Sequence, residues 1–245
     1  MKQPADRRDL VERLQKEILS LQGMRTPLDG NPKRFGLGPV ESAFPNGIFP
    51  TGTVHEFISQ EASDAAATSG FMAGLLGKMM QQGGACLWIS MQRTLFPPAL
   101  KMFGVEPDRI IFIDLTNEQD LLWCVEEALK CDALTAVVGE LKEVSLTASR
   151  RLQLAVEQSR VTGLLHRYNP RRINTLACAA RWRVTSIPSE LEEGMPGVGF
   201  PRWNVELLKV RNGEPGSWQL EWAAGKFQIL RMSAEQFKKN LRQVG

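Results

Sequence analysis

The sequence lacks a phosphate-binding loop at the place where its pattern calls for one. Gly52-Thr53-Val54-His55-Glu56-Phe57-Ile58-Ser59 reads as a buried strand, and Thr68-Ser69-Gly70-Phe71 reads as the start of a helix. A nucleotide-hydrolysing α/β domain carries G-x-x-x-x-G-K-[ST] between two such elements. Here the connection is Gln60-Glu61-Ala62-Ser63-Asp64-Ala65-Ala66-Ala67. It offers no glycine to let the backbone wrap a phosphate and no lysine to neutralise one. Glu61 and Asp64 would repel it. A helix start at Thr68-Ser69 still presents free N–H groups that an anion can use, but the reading preferred here is a plain N-cap by Thr68 or Ser69.

Other absences narrow the class further. No stretch approaches the roughly 18 consecutive apolar residues of a membrane span, so no membrane association is expected. The first residues, Met-Lys-Gln-Pro-Ala-Asp-Arg-Arg, contain no apolar signal core. The four cysteines, Cys86, Cys124, Cys131 and Cys178, show no C-x-x-C spacing. They read as free thiols in a reducing cytoplasm, with no metal site. The two histidines, His55 and His166, have no recognisable Ser or Cys partner with a carboxylate, so triad chemistry has no support. From Gln158 to Ser189 there is no Asp or Glu, while Arg160, Arg167, Arg171, Arg172, Arg181 and Arg183 fall in that stretch.

What is present is ordinary for a globular core: 43% hydrophobic residues and a net charge of +3 in 245 residues. That charge is too small to establish a nucleic-acid partner by itself. Asp6 to Leu21 predicts a helix with an apolar stripe at Leu10, Leu14, Ile18 and Leu21. The Gly- and Pro-rich run to Gly38 reads as a linker. The expected organisation is therefore an arm and linker (1–37), a core (38–231) and a polar C-terminal helix (232–245).

Within the core, strands and helices alternate. Strands are expected at Val54–Ile58, Cys86–Ile89, Ile110–Asp114, Leu134–Val138 and Gly163–His166. Helices are expected at Ser69–Gln82, Glu118–Lys130 (capped by Asn117) and Thr147–Gln158. Continuous apolar strands of this kind predict a parallel sheet with helices on both faces. After Tyr168 the pattern changes. Trp182–Ile187, Trp203–Val210, Trp218–Trp222 and Phe227–Leu230 are joined by turns such as Asn212-Gly213 and Ala224-Gly225, which predicts an antiparallel extension. Trp203, Trp218 and Trp222 are read as core residues of that extension.

This order of elements resembles RecA, the recombinase ATPase, over roughly residues 38–231. Asn46-Gly47-Ile48-Phe49-Pro50-Thr51-Gly52 is similar to the lead-in to that family's phosphate loop. Gly83-Gly84-Ala85-Cys86-Leu87-Trp88-Ile89 is similar to its second strand, and Gly104-Val105-Glu106-Pro107-Asp108 to the turn before its third. Asn169-Pro170 opens the segment where RecA has its second DNA-facing loop. Within the superfamily the chain most resembles the ImuA family, through FPNGIFPTGTVHEF, RRLQLAVEQS and MPGVGFPRWNVELLKVRNGEPGSW. The resemblance implies a RecA-like three-layer α/β sandwich and a cytoplasmic role in SOS-induced, error-prone translesion synthesis. The implied partners are ImuB, a Y-family polymerase homologue, a DnaE-type polymerase or RecA.

Set against the RecA pattern, two further parts are altered besides the loop. The acid that ends the fourth strand falls on Gly139. Glu140, one step on, is expected to point to the other face, because strand side chains alternate. The water-activating glutamate falls on Gln92, whose amide can orient a water but cannot take its proton. No catalytic residue, cofactor or metal is expected, and the degenerate loop is Gln60, Glu61, Asp64, Ala67, Thr68 and Ser69.

Two functions of different class remain open. One is a partner-binding scaffold that uses Leu10, Leu14, Ile18 and Leu21 to dock on a polymerase homologue or on a second copy. The other is a weak, non-specific single-stranded DNA module built on Arg167, Tyr168, Arg171 and Arg172. A divergent ATPase and a SulA-type division inhibitor are less favoured.

Overall fold

Six buried residues in succession, Val54–Ser59, form the strand β1 at the centre of a nine-stranded sheet. The computed structural model describes residues 35–190 and 199–230. The arm with Leu10, Leu14, Ile18 and Leu21, and the expected C-terminal helix 232–245, lie outside the described residues.

The remaining strands are β2 (Ala85–Ser90), β3 (Ile110–Asp114), β4 (Leu134–Leu141), β5 (Thr162–Tyr168), β6 (Ala180–Ile187), β7 (Arg202–Val210), β8 (Gly216–Ala223) and β9 (Lys226–Ile229). Their spatial order is β3-β2-β4-β5-β1-β6-β7-β8-β9. The long helices are α1 (Ala62–Met79), α2 (Glu118–Leu129) and α3 (Leu146–Ser159). Asn117 caps α2, its side chain accepting from the Asp120 N–H, and Ser145 caps α3 by accepting from the Ala148 N–H.

Strand alternation sorts the core into two layers. Phe57 packs with Phe71, Leu75 and Leu76 of α1, together with Trp88, Val138 and Trp182. Val54 packs on the opposite face with Leu121 and Val125 of α2 and Leu152 and Val156 of α3. The result is the expected three-layer, RecA-like α/β sandwich with a C-terminal antiparallel part.

Two elements differ from the sequence expectation. First, α1 begins at Ala62 rather than Ser69. The run Ala62-Ser63-Asp64-Ala65-Ala66-Ala67 has high helix propensity, no Gly or Pro to break it, and an acid in the first turn where the helix dipole favours one. Thr68 is therefore an interior helix residue, not a cap; the N-cap is Glu61. Second, β6 runs parallel to β1, with His55 opposite Ala180 and Ile58 opposite Arg183. The antiparallel part starts only with β7. A parallel neighbour requires the chain to return across the sheet. Residues 169–179 make that crossover without a helix.

The extension curls onto α1 through small residues. A Cβ on Gly74 would lie 2.7 Å from the Phe227 ring and one on Gly70 would lie 3.3 Å from the Trp203 ring. Gly77 packs instead on the 97–103 segment, where a Cβ would lie 2.0 Å from the Phe103 carbonyl oxygen. Trp203 and Trp222 are buried in this layer and Trp218 packs on its rim, as expected for core tryptophans. Phe35 and Leu37, in the segment read as linker, are also buried there.

Candidate functional site

In open parallel sheets, ligands bind beyond the carboxyl ends of the strands. Here that edge carries the β1–α1 turn, the end of β4 and the start of the 169–179 crossover. The turn is only Gln60 and Glu61, both exposed. The Glu61 carbonyl already accepts from the Ala65 N–H at 3.0 Å, closing the first helical turn. Of the residues read as a degenerate loop, Asp64 and Ala67 are therefore inside a helix, as are Thr68 and Ser69. No open loop remains for backbone N–H groups to surround a phosphate.

Beneath the turn lies a buried polar chain that joins four elements. Ser59 Oγ is 2.9 Å from Thr68 Oγ1 and 2.9 Å from His166 Nε2. Thr68 Oγ1 donates to the Val184 carbonyl at 3.4 Å. A carbonyl only accepts, so the Thr68 proton is committed to Val184. The one assignment that gives every contact a hydrogen runs His166 Nε2–H to Ser59, Ser59 O–H to Thr68, and Thr68 O–H to Val184. His166 therefore donates to Ser59 and is not a base for it. Ser59 is also fully buried. A serine–histidine contact is present, which sequence reading missed across 107 positions, but its proton direction and burial do not suit nucleophilic attack. Burial pushes the His166 imidazole down to about 4.

His55 is a core residue. Its Nε2 lies 2.7 Å from the Pro50 carbonyl, Trp182 Nε1 donates to its Nδ1 at 3.3 Å, and its ring stacks on Phe49. Burial pushes it down to about 4, against the raising effect of the Pro50 carbonyl.

The end of β4 reverses one expectation. Gly139 faces α2, where an added Cβ would lie 2.7 Å from Val125 Cγ2, so no acid fits there without displacing that side chain. Glu140 is the residue that faces the α1 side. Its Oε1 accepts from Trp88 Nε1 at 2.8 Å. Burial raises its carboxyl pKa, the Trp88 bond opposes that, and nearby Asp114 adds to it. Asp114 is itself held by Arg93 at 2.6 Å and by Ser90 at 3.3 Å. Gln92 is exposed. Among the described residues, no group of three or more His, Cys, Asp or Glu is placed to hold a metal ion.

The basic stretch divides in two. Arg167 is fully buried, with Nη1 2.8 Å from Glu56 Oε1, and Glu56 is equally buried. Arg181 Nε reaches the other oxygen of Glu56 at 2.6 Å. Arg167 is thus withdrawn from any phosphate by its ion pair. Arg183 pairs with Glu206 at 3.3 Å. Tyr168, Arg171 and Arg172, in contrast, are exposed together at the carboxyl edge, with Ile173 beside them.

These features define a RecA-like α/β domain whose β1–α1 turn is closed over a polar core. No protein-family model matches the sequence. Protein ImuA from two strains of Caulobacter vibrioides is 35% identical over 211 residues, covering 81% of this chain and 86% of each relative. The chain belongs to the ImuA family. No helix among the described residues is long and apolar enough to cross a membrane.

Proposed function

We propose that this protein is a non-catalytic accessory scaffold of SOS-induced, error-prone DNA repair. It acts in the cytoplasm in translesion synthesis, with an ImuB-like Y-family polymerase homologue and a DnaE-type polymerase. Family membership supports the setting. The observation that carries the non-catalytic reading is the two-residue β1–α1 turn, Gln60-Glu61, with α1 starting at Ala62. Phosphoryl transfer depends on positioning and charge stabilisation around the phosphates. This turn supplies neither a lysine nor a cradle, and the acid on the α1 face, Glu140, is held by Trp88. Such a sheet is retained for its surfaces. The arm residues Leu10, Leu14, Ile18 and Leu21 are the proposed contact with the polymerase homologue, with RecA or with a second copy. Pull-down with Leu14→Asp plus Ile18→Asp tests this. Loss of capture or of self-association supports it, and unchanged binding of both removes the arm from the account.

A second reading rests on the exposed group Tyr168, Arg171 and Arg172. Guanidinium groups meet phosphates and a tyrosine ring stacks on a base, the combination that holds single strands without reading sequence. Weak, salt-dependent affinity for single-stranded DNA is expected. Arg171→Ala with Arg172→Ala should weaken it and flatten the salt dependence by roughly 0.7 in log–log slope per lost phosphate contact. Undetectable binding of wild type at low salt would remove this reading.

A further inference from the structure

The crossover that carries Tyr168, Arg171 and Arg172 is held from beneath by a network that runs from the buried Arg167–Glu56 pair out to the exposed Glu143. Arg167 Nη1 bonds Glu56 Oε1 at 2.8 Å and Asn174 Oδ1 at 3.1 Å. Its Nη2 bonds the Arg172 carbonyl at 3.0 Å and Glu143 Oε2 at 3.4 Å, and its Nε bonds the Lys142 carbonyl at 3.3 Å. Glu143 Oε1 accepts from the Arg171 N–H at 2.7 Å. Asn174 Nδ2 donates to the Val144 carbonyl at 2.8 Å, and the Asn174 carbonyl accepts from Arg181. The Arg167 guanidinium, with Glu143 relaying to the Arg171 N–H, thus ties β1, the β4–α3 loop and both sides of the Arg171-Arg172 pair together. Only a planar fork with five N–H donors can do this.

We infer that Arg167 and Glu143 are positioning residues that hold the crossover ready for single-stranded nucleic acid, with Tyr168, Arg171 and Arg172 making the contact. The inference rests on the DNA-binding reading above. Its physical basis is that a prebuilt loop avoids the ordering cost that a flexible loop bears on binding. Glu143 gives this a distinctive sign. It is a carboxylate beside a basic loop, so by charge alone its removal should tighten binding to a polyanion. If it positions the loop, losing its bond to the Arg171 N–H should weaken binding.

The test is titration of the full chain with a fluorescent oligothymidine over a range of salt. Glu143→Gln removes the charge and keeps an oxygen for the Arg171 N–H; Glu143→Ala removes both. The expected result is that Glu143→Ala binds about fivefold more weakly than Glu143→Gln, the effect of one hydrogen bond of about 1 kcal/mol. Arg167→Lys keeps a cation beside Glu56 and loses the fork. It should weaken binding while leaving the salt slope unchanged, because Arg167 touches no phosphate. Equal affinity of the two Glu143 variants, or a reduced slope in Arg167→Lys, overturns the inference even where wild type binds. Absence of wild-type binding fails the underlying DNA reading, and the inference with it. If Arg167→Lys does not fold, the Glu143 pair decides alone.

Discussion

Ser59 Oγ, at the end of β1, lies 2.9 Å from Thr68 Oγ1, two turns into the helix that follows. In a strand–loop–helix unit that holds phosphate, the space between these elements belongs to the ligand. Here the two hydroxyls meet directly and His166 completes the chain. Thr68→Val keeps the shape of the side chain and removes one link. It leaves the Ser59 proton without its acceptor in a fully buried site, so the expected loss of stability is about 1–3 kcal/mol. Urea unfolding measures it, and a change below about 0.5 kcal/mol, the usual range for surface sites, would show that the chain is not structural.

The two buried histidines set a pH dependence with a definite sign. Both are pushed down to about 4 from an ordinary 6.5 by burial. Between those values the unfolded chain binds more protons than the folded one. Their contribution is complete above pH 6.5 and is lost as pH falls toward 4. Glu140, register partner of His166, acts in the opposite sense, because its carboxyl is raised. Comparison with a variant isolates the histidine: His166→Asn should lower the proton uptake on unfolding by about one in that window. Equal pH slopes for wild type and variant would contradict the buried neutral state.

Gly77 should not accept a side chain although it sits in a helix. Alanine gains about 1 kcal/mol of helix propensity over glycine. Its Cβ would stand 2.0 Å from the Phe103 carbonyl oxygen, a backbone atom. Displacing backbone in a packed core costs typically 1–3 kcal/mol, so the packing effect is expected to win. A lower urea midpoint for Gly77→Ala is the expected result. A raised midpoint would mean that the 97–103 segment yields easily.

Much of this architecture is legible in the sequence because it is local. The strands announce themselves as apolar runs, Asn117 as a cap, and Trp203 and Trp222 as core by alternation. What is not legible depends on distant partners. Arg167 looks like a phosphate ligand until Glu56, 111 positions away, is seen to hold it. Ser59 and His166 meet only because β1 and β5 pair in parallel. The parallel course of β6 needs the whole crossover to be in place. The early start of α1 is a different case. Its alanine-rich first turns are readable, but Thr68-Ser69-Gly70 carries the composition of a cap, and only the helix already begun at Ala62 shows otherwise. Glu140 likewise faces α1 because Gly139 is pressed against Val125, a contact that no alignment with an ATPase strand could reveal.

The central claim is that the Gln60-Glu61 turn leaves this RecA-like sheet without a nucleotide site. Isothermal calorimetry of the full chain with ATP and Mg²⁺ tests it most directly. The account predicts no saturable heat up to millimolar nucleotide. Saturable binding that is abolished by a substitution at the turn or at Glu140 would contradict it.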